Sequence, residues 1–137
     1  MILIKTKLKP SELNGIGVFS EEFIPKGKLL WKFNSDFDLV LPREQVDQLS
    51  DAAKEQFLHY AYLSKKTGRY VLCSDDSRFF NHQDQANTIC EVPPNSASGE
   101  ALYCFAVRDI YKGEELTNNY RDFDEGFLGY NTRISND

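Results

Sequence analysis

Arg78-Phe79-Phe80-Asn81-His82 is the stretch on which the reading of this chain turns. Two bulky aromatics stand between an arginine and an Asn-His pair, and two acids, Asp75 and Asp76, come just before. A strand made only for packing alternates apolar and polar residues. This stretch sets three hydrogen-bonding side chains against two large hydrophobes, which suits a polar ligand held against a buried wall. The alternative is an Asn-His turn leaving a strand, with the aromatics in the core. Near the C-terminal end a second stretch, Glu114-Glu115-Leu116-Thr117-Asn118-Asn119-Tyr120, is its natural partner.

The frame around these two stretches is one domain. A chain of 137 residues is long enough to bury a core. Its 41% apolar and 13% aromatic content excludes a disordered protein. A net charge of −5 argues against a sequence-independent nucleic-acid binder and is compatible with a basic peptide partner. No apolar run reaches the roughly 20 residues of a membrane span, and Met1-Ile2-Leu3-Ile4 is too short for a signal peptide. Cys73, Cys90 and Cys104 are odd in number and widely spaced, so neither a disulfide framework nor a structural zinc site is expected. They read as buried thiols of a protein in a reducing, intracellular compartment, cytoplasmic or nuclear.

Read in order, Ile2-Leu3-Ile4 predicts an edge strand ended by Pro10, and Val18-Phe19 a short strand. Pro25-Lys26-Gly27 is a turn before a strand over Lys28 to Phe33. Phe37, Leu39 and Leu41 alternate as the inward face of a half-buried strand. Residues 42–66 predict a helical insertion, with Pro42 at a first helical position, Ser50 or Asp51 as a cap, Lys65 and Lys66 at the end and Gly68 as the stop. Tyr70 to Cys73 and Ala101 to Val107 are further strands, and residues 93–99 a loop. One echo recurs: Ile24-x-Lys26-Gly27-x-x-Leu30 matches Ile110-x-Lys112-Gly113-x-x-Leu116, the same turn chemistry used twice.

Four motifs carry a resemblance: Asn14-Gly15-Ile16-Gly17-Val18-Phe19, Phe23-Ile24-Pro25-Lys26-Gly27, Arg78-Phe79-Phe80-Asn81-His82, and Gly113-Glu114-Glu115-Leu116-Thr117 leading to Tyr120. In this order and at these separations the chain resembles the SET-domain family of protein-lysine methyltransferases from about Gly15 to Tyr120. The resemblance implies a mostly β fold of several short curved sheets, a helical insertion at 42–66, a closing segment at 121–137, and a knot-like crossing of the Asn-His and tyrosine segments. It implies S-adenosylmethionine as cofactor and a lysine-bearing protein or peptide, basic by charge, as substrate, with no direct nucleic-acid or membrane partner. Docking falls to the domain itself or to an oligomer.

The same resemblance implies the roles of single residues. Tyr120 matches the catalytic tyrosine, whose hydroxyl orients the amine or takes the departing proton. Asn81 and His82 match the cofactor-holding pair. Arg78 suits a carboxylate, or else pairs with Asp75 or Asp76. The backbone of Gly15, Ile16 and Gly17 suits a close approach to the cofactor, and Tyr62 matches a cofactor-contacting tyrosine, a role Tyr60 would serve as well. No metal is implied. The chain departs from the pattern at Asp84, where a cysteine is usual, at Asn119, which replaces an aspartate, and at Asn118, where relatives often carry an aromatic that limits how many methyl groups are added. The cysteine-borne zinc segment of many relatives is absent after Cys104. Phe123, Phe127 and Tyr130 are the candidates to close the lysine channel in its place, or else pack the core. These departures motivate a second reading, a SET-fold binding or scaffold module without catalysis.

Overall fold

The structure, a computed structural model, describes residues 1–127; Tyr130 lies outside them. In chain order the strands and helices are β1 (Thr6–Pro10), β2 (Ile16–Ser20), β3 (Leu29–Lys32), β4 (Leu39–Leu41), α1 (Arg43–Asp47), α2 (Asp51–Tyr60), β5 (Tyr62–Leu63), β6 (Tyr70–Leu72), β7 (Asn81–His82), β8 (Thr88–Glu91), β9 (Tyr103–Ala106) and β10 (Glu115–Asn118). Short 3₁₀ turns at Asp76–Phe79 and Tyr120–Asp122 flank the two motifs. Three small sheets result, in the orders β1-β2-β10-β7, β3-β9-β8 and β4-β6-β5. The fold is mostly β, as expected. Among the described residues no helix is long and apolar enough to cross a membrane.

The echoed turns explain how the first two sheets are held together. Gly27 and Gly113 both take left-handed φ values, 86° and 92°, which glycine adopts without steric cost. The isoleucines that precede them face each other: Ile24 N–H donates to the Ile110 carbonyl and Ile110 N–H to the Ile24 carbonyl, both at 2.8 Å. Ile24, Leu30, Ile110 and Leu116 are all at most 1% exposed and form the centre of one core with Val18, Phe80 and Ala106. The repeated sequence is therefore a repeated turn whose two copies pair. A second core, containing Trp31, Val71, Cys73, Leu102 and Phe123, joins the second and third sheets.

Several local expectations are corrected. The first strand is Thr6–Pro10, while Ile2 makes only an isolated bridge to Trp31. Pro10 ends the strand opposite Ile16 on a sheet edge, a position that needs no N–H. The Phe37-Leu39-Leu41 alternation is inverted: Phe37 and Leu39 are exposed and Asp38 is buried. The Asp38 carboxylate accepts from the main-chain N–H of Asn34 at 2.8 Å and of Ser74 at 3.3 Å, which outweighs the apolar pattern. Pro42 caps α1 rather than opening it, and Ser50 caps α2 by accepting from Ala53 N–H. The helices stop at Tyr60, because Tyr62 and Leu63 pair with β6, and Gly68 turns β5 into β6. Cys90 and Cys104 are not free thiols. They stand directly opposite each other on β8 and β9 and form a disulfide, leaving Cys73 free and buried, its thiol pushed up to about 12 by burial.

Candidate active site

β10 lies parallel to β7, with Thr117 opposite Asn81 and Asn118 opposite His82, so the two motifs meet side by side. Asn81 is buried, and its side-chain nitrogen donates to the Asn14 carbonyl at 3.0 Å, the Ile16 carbonyl at 3.2 Å and Glu115 Oε1 at 2.8 Å. Glu115 also accepts from Ser11 Oγ at 2.8 Å on both carboxylate oxygens. A Cβ on Gly17 would fall 2.1 Å from Glu115 Oε1, so the glycine makes room for this carboxylate. One buried amide and one carboxylate thus tie together the loop after β1, the start of β2, and strands β7 and β10.

The next residue turns the other way. His82 Nδ1 accepts from Tyr120 N–H at 3.1 Å. That bond leaves Nε2 as the protonated nitrogen of a neutral ring, and it lies 3.0 Å from Asp84 Oδ1. Asp84 also binds the Arg121 guanidinium, and Arg121 foremost, then His82, holds its carboxyl below the usual range. Asn119 accepts from Arg121 N–H and donates to the Asp84 carbonyl at 3.2 Å, fixing the turn that carries Tyr120. The Tyr120 hydroxyl donates to the Phe80 carbonyl. Its ring packs among His82, Phe123 and Phe127, with centroids 5.2, 6.0 and 5.5 Å away. Burial pushes its phenol up to about 12, with Asp124 and Glu115 adding to the shift.

Asn81, His82 and Tyr120 line a cleft of about 670 Å³, within the range of small-molecule sites, whereas Glu115, Asp84, Asn119 and Arg121 do not. Leu13, Asn14, Arg78, Asn81 and His82 line it, as do Tyr120, Phe123 and Phe127. Gly15, Ile16 and Gly17 do not line it, although their neighbour Asn14 does. Arg78 forms no ion pair with Asp75 or Asp76. It makes two long bonds of 3.4 Å to the carbonyls of Asp75 and Ser74 and lies 5.5 Å over the Tyr60 ring. Asp75 instead accepts from Ile2 N–H, Ser77 N–H and Ser77 Oγ. Tyr62 belongs to the apolar cluster with Trp31, Leu102 and Phe123, 4.9 Å from the Phe123 ring. Its hydroxyl and the Trp31 indole N–H are buried with no partner among the described residues, and both residues line the cleft. Burial raises the Tyr62 phenol well above its ordinary value.

Asn87, five residues past His82, also ties the site together. Its side chain pairs with β10 as a strand would, donating to the Glu115 carbonyl at 2.7 Å and accepting from Thr117 N–H at 2.9 Å. Thr88 donates to the Thr117 carbonyl at 2.7 Å and to Asn118 Oδ1 at 2.6 Å. Glu115, Asn87, Thr88 and Trp31 were missed as site residues. Glu115 lies inside the second motif and Asn87 and Thr88 a few residues past the first, whereas no sequence signal marked Trp31.

A SET-domain description matches residues 15–121, and the chain belongs to that family. A Candida glabrata histone-lysine N-methyltransferase, H3 lysine-36 specific, is 27% identical over 122 residues, covering 86% of this chain and 16% of that protein. Among solved structures, a Plasmodium falciparum protein described as a candidate histone methyltransferase superposes with a TM-score of 0.61 at 23% identity, covering 87% of this chain and 95% of that one. A Chaetomium thermophilum Polycomb Repressive Complex 2 structure gives 0.66 at 23% identity, covering 89% of this chain and 15% of that one. These superpositions share the fold, and the chain spans well under a fifth of the curated relatives it matches.

Proposed function

We propose that this chain is an S-adenosylmethionine-dependent protein-lysine methyltransferase and that Tyr120 is its catalytic residue. The observation that carries this reading is the half-buried Tyr120, which lines the cleft and whose hydroxyl already donates its proton to the Phe80 carbonyl. A hydroxyl so engaged can only accept from a substrate. It would accept an N–H of a neutral lysine amine and thereby turn the amine lone pair toward the cleft. A phenol pushed up to about 12 stays protonated at neutral pH, so Tyr120 orients the amine and is not a base.

S-adenosylmethionine supplies an electrophilic methyl group on a sulfonium. The cleft suits that group. The Arg78 guanidinium has no carboxylate partner among the described residues and fits the carboxylate of an amino acid. Among the described residues β7 is an edge strand, and both its residues line the cleft, a place that suits a heteroaromatic edge. Asn81 lines the same cleft, and its side-chain nitrogen binds the Asn14 and Ile16 carbonyls, which keeps the Gly15-Ile16-Gly17 segment beside the cofactor. Tyr62 lines the cleft within the apolar cluster, where it contacts the cofactor and helps to wall the amine. Presenting a neutral lysine at pH 7 costs roughly 4 to 5 kcal/mol against a reference pKa of about 10.4. The wall of Tyr62, Leu102 and Phe123 lowers that cost by disfavouring the ammonium.

The departures from the family pattern do not favour a broken site, because each replaced residue is bonded within it. Asp84 holds His82 and Arg121, Asn119 caps the Tyr120 turn, and Asn118 accepts from Thr88. The −5 charge and the histone-lysine relatives make basic lysine-rich tails the first substrates to test. Tyr120→Phe tests the assignment: turnover falls about 10²- to 10³-fold while cofactor affinity is kept. Turnover equal to the parent's would show that Tyr120 is not the catalytic residue.

A further inference from the structure

We propose that the Cys90–Cys104 disulfide is a redox switch in the wall of the cleft. Closed, it holds the wall in its binding shape; opened by a small-molecule thiol such as glutathione, it slackens the wall and lowers turnover. The effect on turnover rests on the function proposed above, and the change in the wall does not. All three cysteines of the sequence lie within the described residues, so the set of sulfurs is complete. Cys104 stands on β9 opposite both Trp31 of β3 and Cys90 of β8, and it lines the cleft. Cys90 lines a smaller cavity of about 230 Å³ that shares Tyr62, Leu102 and Phe123 with the cleft. Both cysteines are buried, yet each borders a cavity through which a small thiol can approach. On its other side the pair reaches the second motif. Cys90 Sγ lies 3.7 Å from Asn118 Oδ1, and Cys90 N–H donates to the Asp122 carboxylate at 3.5 Å, in the turn that begins at Tyr120.

Opening the pair is a thiol–disulfide exchange. A thiolate of the reductant attacks one sulfur, a second thiolate attacks the mixed disulfide, and the reductant leaves as its own disulfide. Two electrons and two protons end on Cys90 and Cys104. Two thiols need more room than a bonded pair, and a close-packed wall yields it only by moving side chains. The Cys90 sulfur, which carries no proton in the disulfide, becomes a donor beside Asn118 Oδ1, the oxygen that accepts from Thr88 at 2.6 Å. The strands stay paired, because β8 and β9 match residue for residue and β9 is bonded to β3 as well. The change is therefore local to the wall. Cys73 does not divert the exchange: its thiol, pushed up to about 12 by burial, keeps its proton at neutral pH and is no nucleophile. The pair thus has two states and no shuffled third.

Trp31 is the single tryptophan of the sequence and stands opposite Cys104, so its emission reports on the wall independently of activity. The parent chain is equilibrated in buffers of graded reduced and oxidised glutathione, its thiols are trapped by alkylation, and mass spectrometry counts them at Cys90 and Cys104. Trp31 emission, calorimetric affinity for S-adenosylmethionine and turnover on histone proteins are read on the same samples, with circular dichroism to follow the fold. The proposal predicts that the pair opens within the glutathione range with the fold retained and that Trp31 emission moves to longer wavelength in step. Turnover falls about tenfold or more, as misplacement of a reacting group does, and oxidised glutathione restores it. Cys73→Ala responds to the buffers as the parent does, whereas Cys104→Ser stays at the reduced level in all of them. A pair that stays closed until the chain unfolds overturns the proposal. So does a pair that opens while Trp31 emission or a measurable turnover is unchanged, which leaves the disulfide a structural brace. A parent chain that transfers no methyl group in either state refutes the methyltransferase reading instead, and the reversible Trp31 shift then decides the switch by itself.

Discussion

Tyr120 shows what a single residue gains from its surroundings. Its ring is packed by three aromatics, its main-chain N–H is spent on His82, and its hydroxyl proton is spent on Phe80. What remains is one acceptor on a residue that lines the cleft. The pH dependence follows from its phenol, raised by burial from 10.0 to about 12. The protonated, folded form is fully favoured below pH 10, and that advantage is lost as pH rises through about 12. Turnover with a lysine substrate therefore climbs with pH as the amine, with a reference pKa of about 10.4, loses its proton. No fall from tyrosine ionisation appears before about pH 11. A single-turnover pH profile checks this, and a descending limb centred near 10 would contradict it. The residue types at this site were legible in the sequence because Asn81, His82 and Tyr120 lie in two compact motifs. The bonds of Asn81 were not legible. They go to Asn14, Ile16 and Glu115, residues brought close only by the pairing of β2, β10 and β7.

Among the elements, the paired turns at Gly27 and Gly113 are the clearest gain from sequence. The echo announced a shared turn, and the structure adds that the two turns bond to each other through Ile24 and Ile110. Both isoleucines are fully buried, so Ile24→Ala or Ile110→Ala should each cost about 2 to 5 kcal/mol in urea unfolding. The double variant should cost less than the sum, because the two share one cavity. The strands read less well where a buried charge intervened. At β4 the apolar alternation pointed Phe37 and Leu39 inward, yet Asp38 took the inward place because two main-chain N–H groups await it. The disulfide was illegible for a different reason. A separation of 14 residues says nothing of register, and Cys90 meets Cys104 only because β8 and β9 pair residue for residue. Closing that loop contributes about 3 kcal/mol in the chain-entropy account. A reducing agent should lower stability by about that much, and Cys104→Ser should remove any further response to it. Unfolding curves that coincide with and without reductant would contradict the pairing.

At the scale of the whole molecule, three small sheets and two apolar cores among the described residues surround a cleft lined by both polar and apolar side chains. The family resemblance read from four short motifs predicted a mostly β fold of several small sheets with few helices. It did not predict where the helices stop, since Tyr62 and Leu63 are claimed by the distant β6. The account makes the whole chain a device for holding a neutral amine in line with a methyl donor. The most direct test is to incubate the chain with isotopically labelled S-adenosylmethionine and histone proteins and to locate the label by mass spectrometry. The account predicts label on lysine side chains, abolished by Tyr120→Phe. Label on no lysine at saturating cofactor, or label that persists unchanged in Tyr120→Phe, would contradict it.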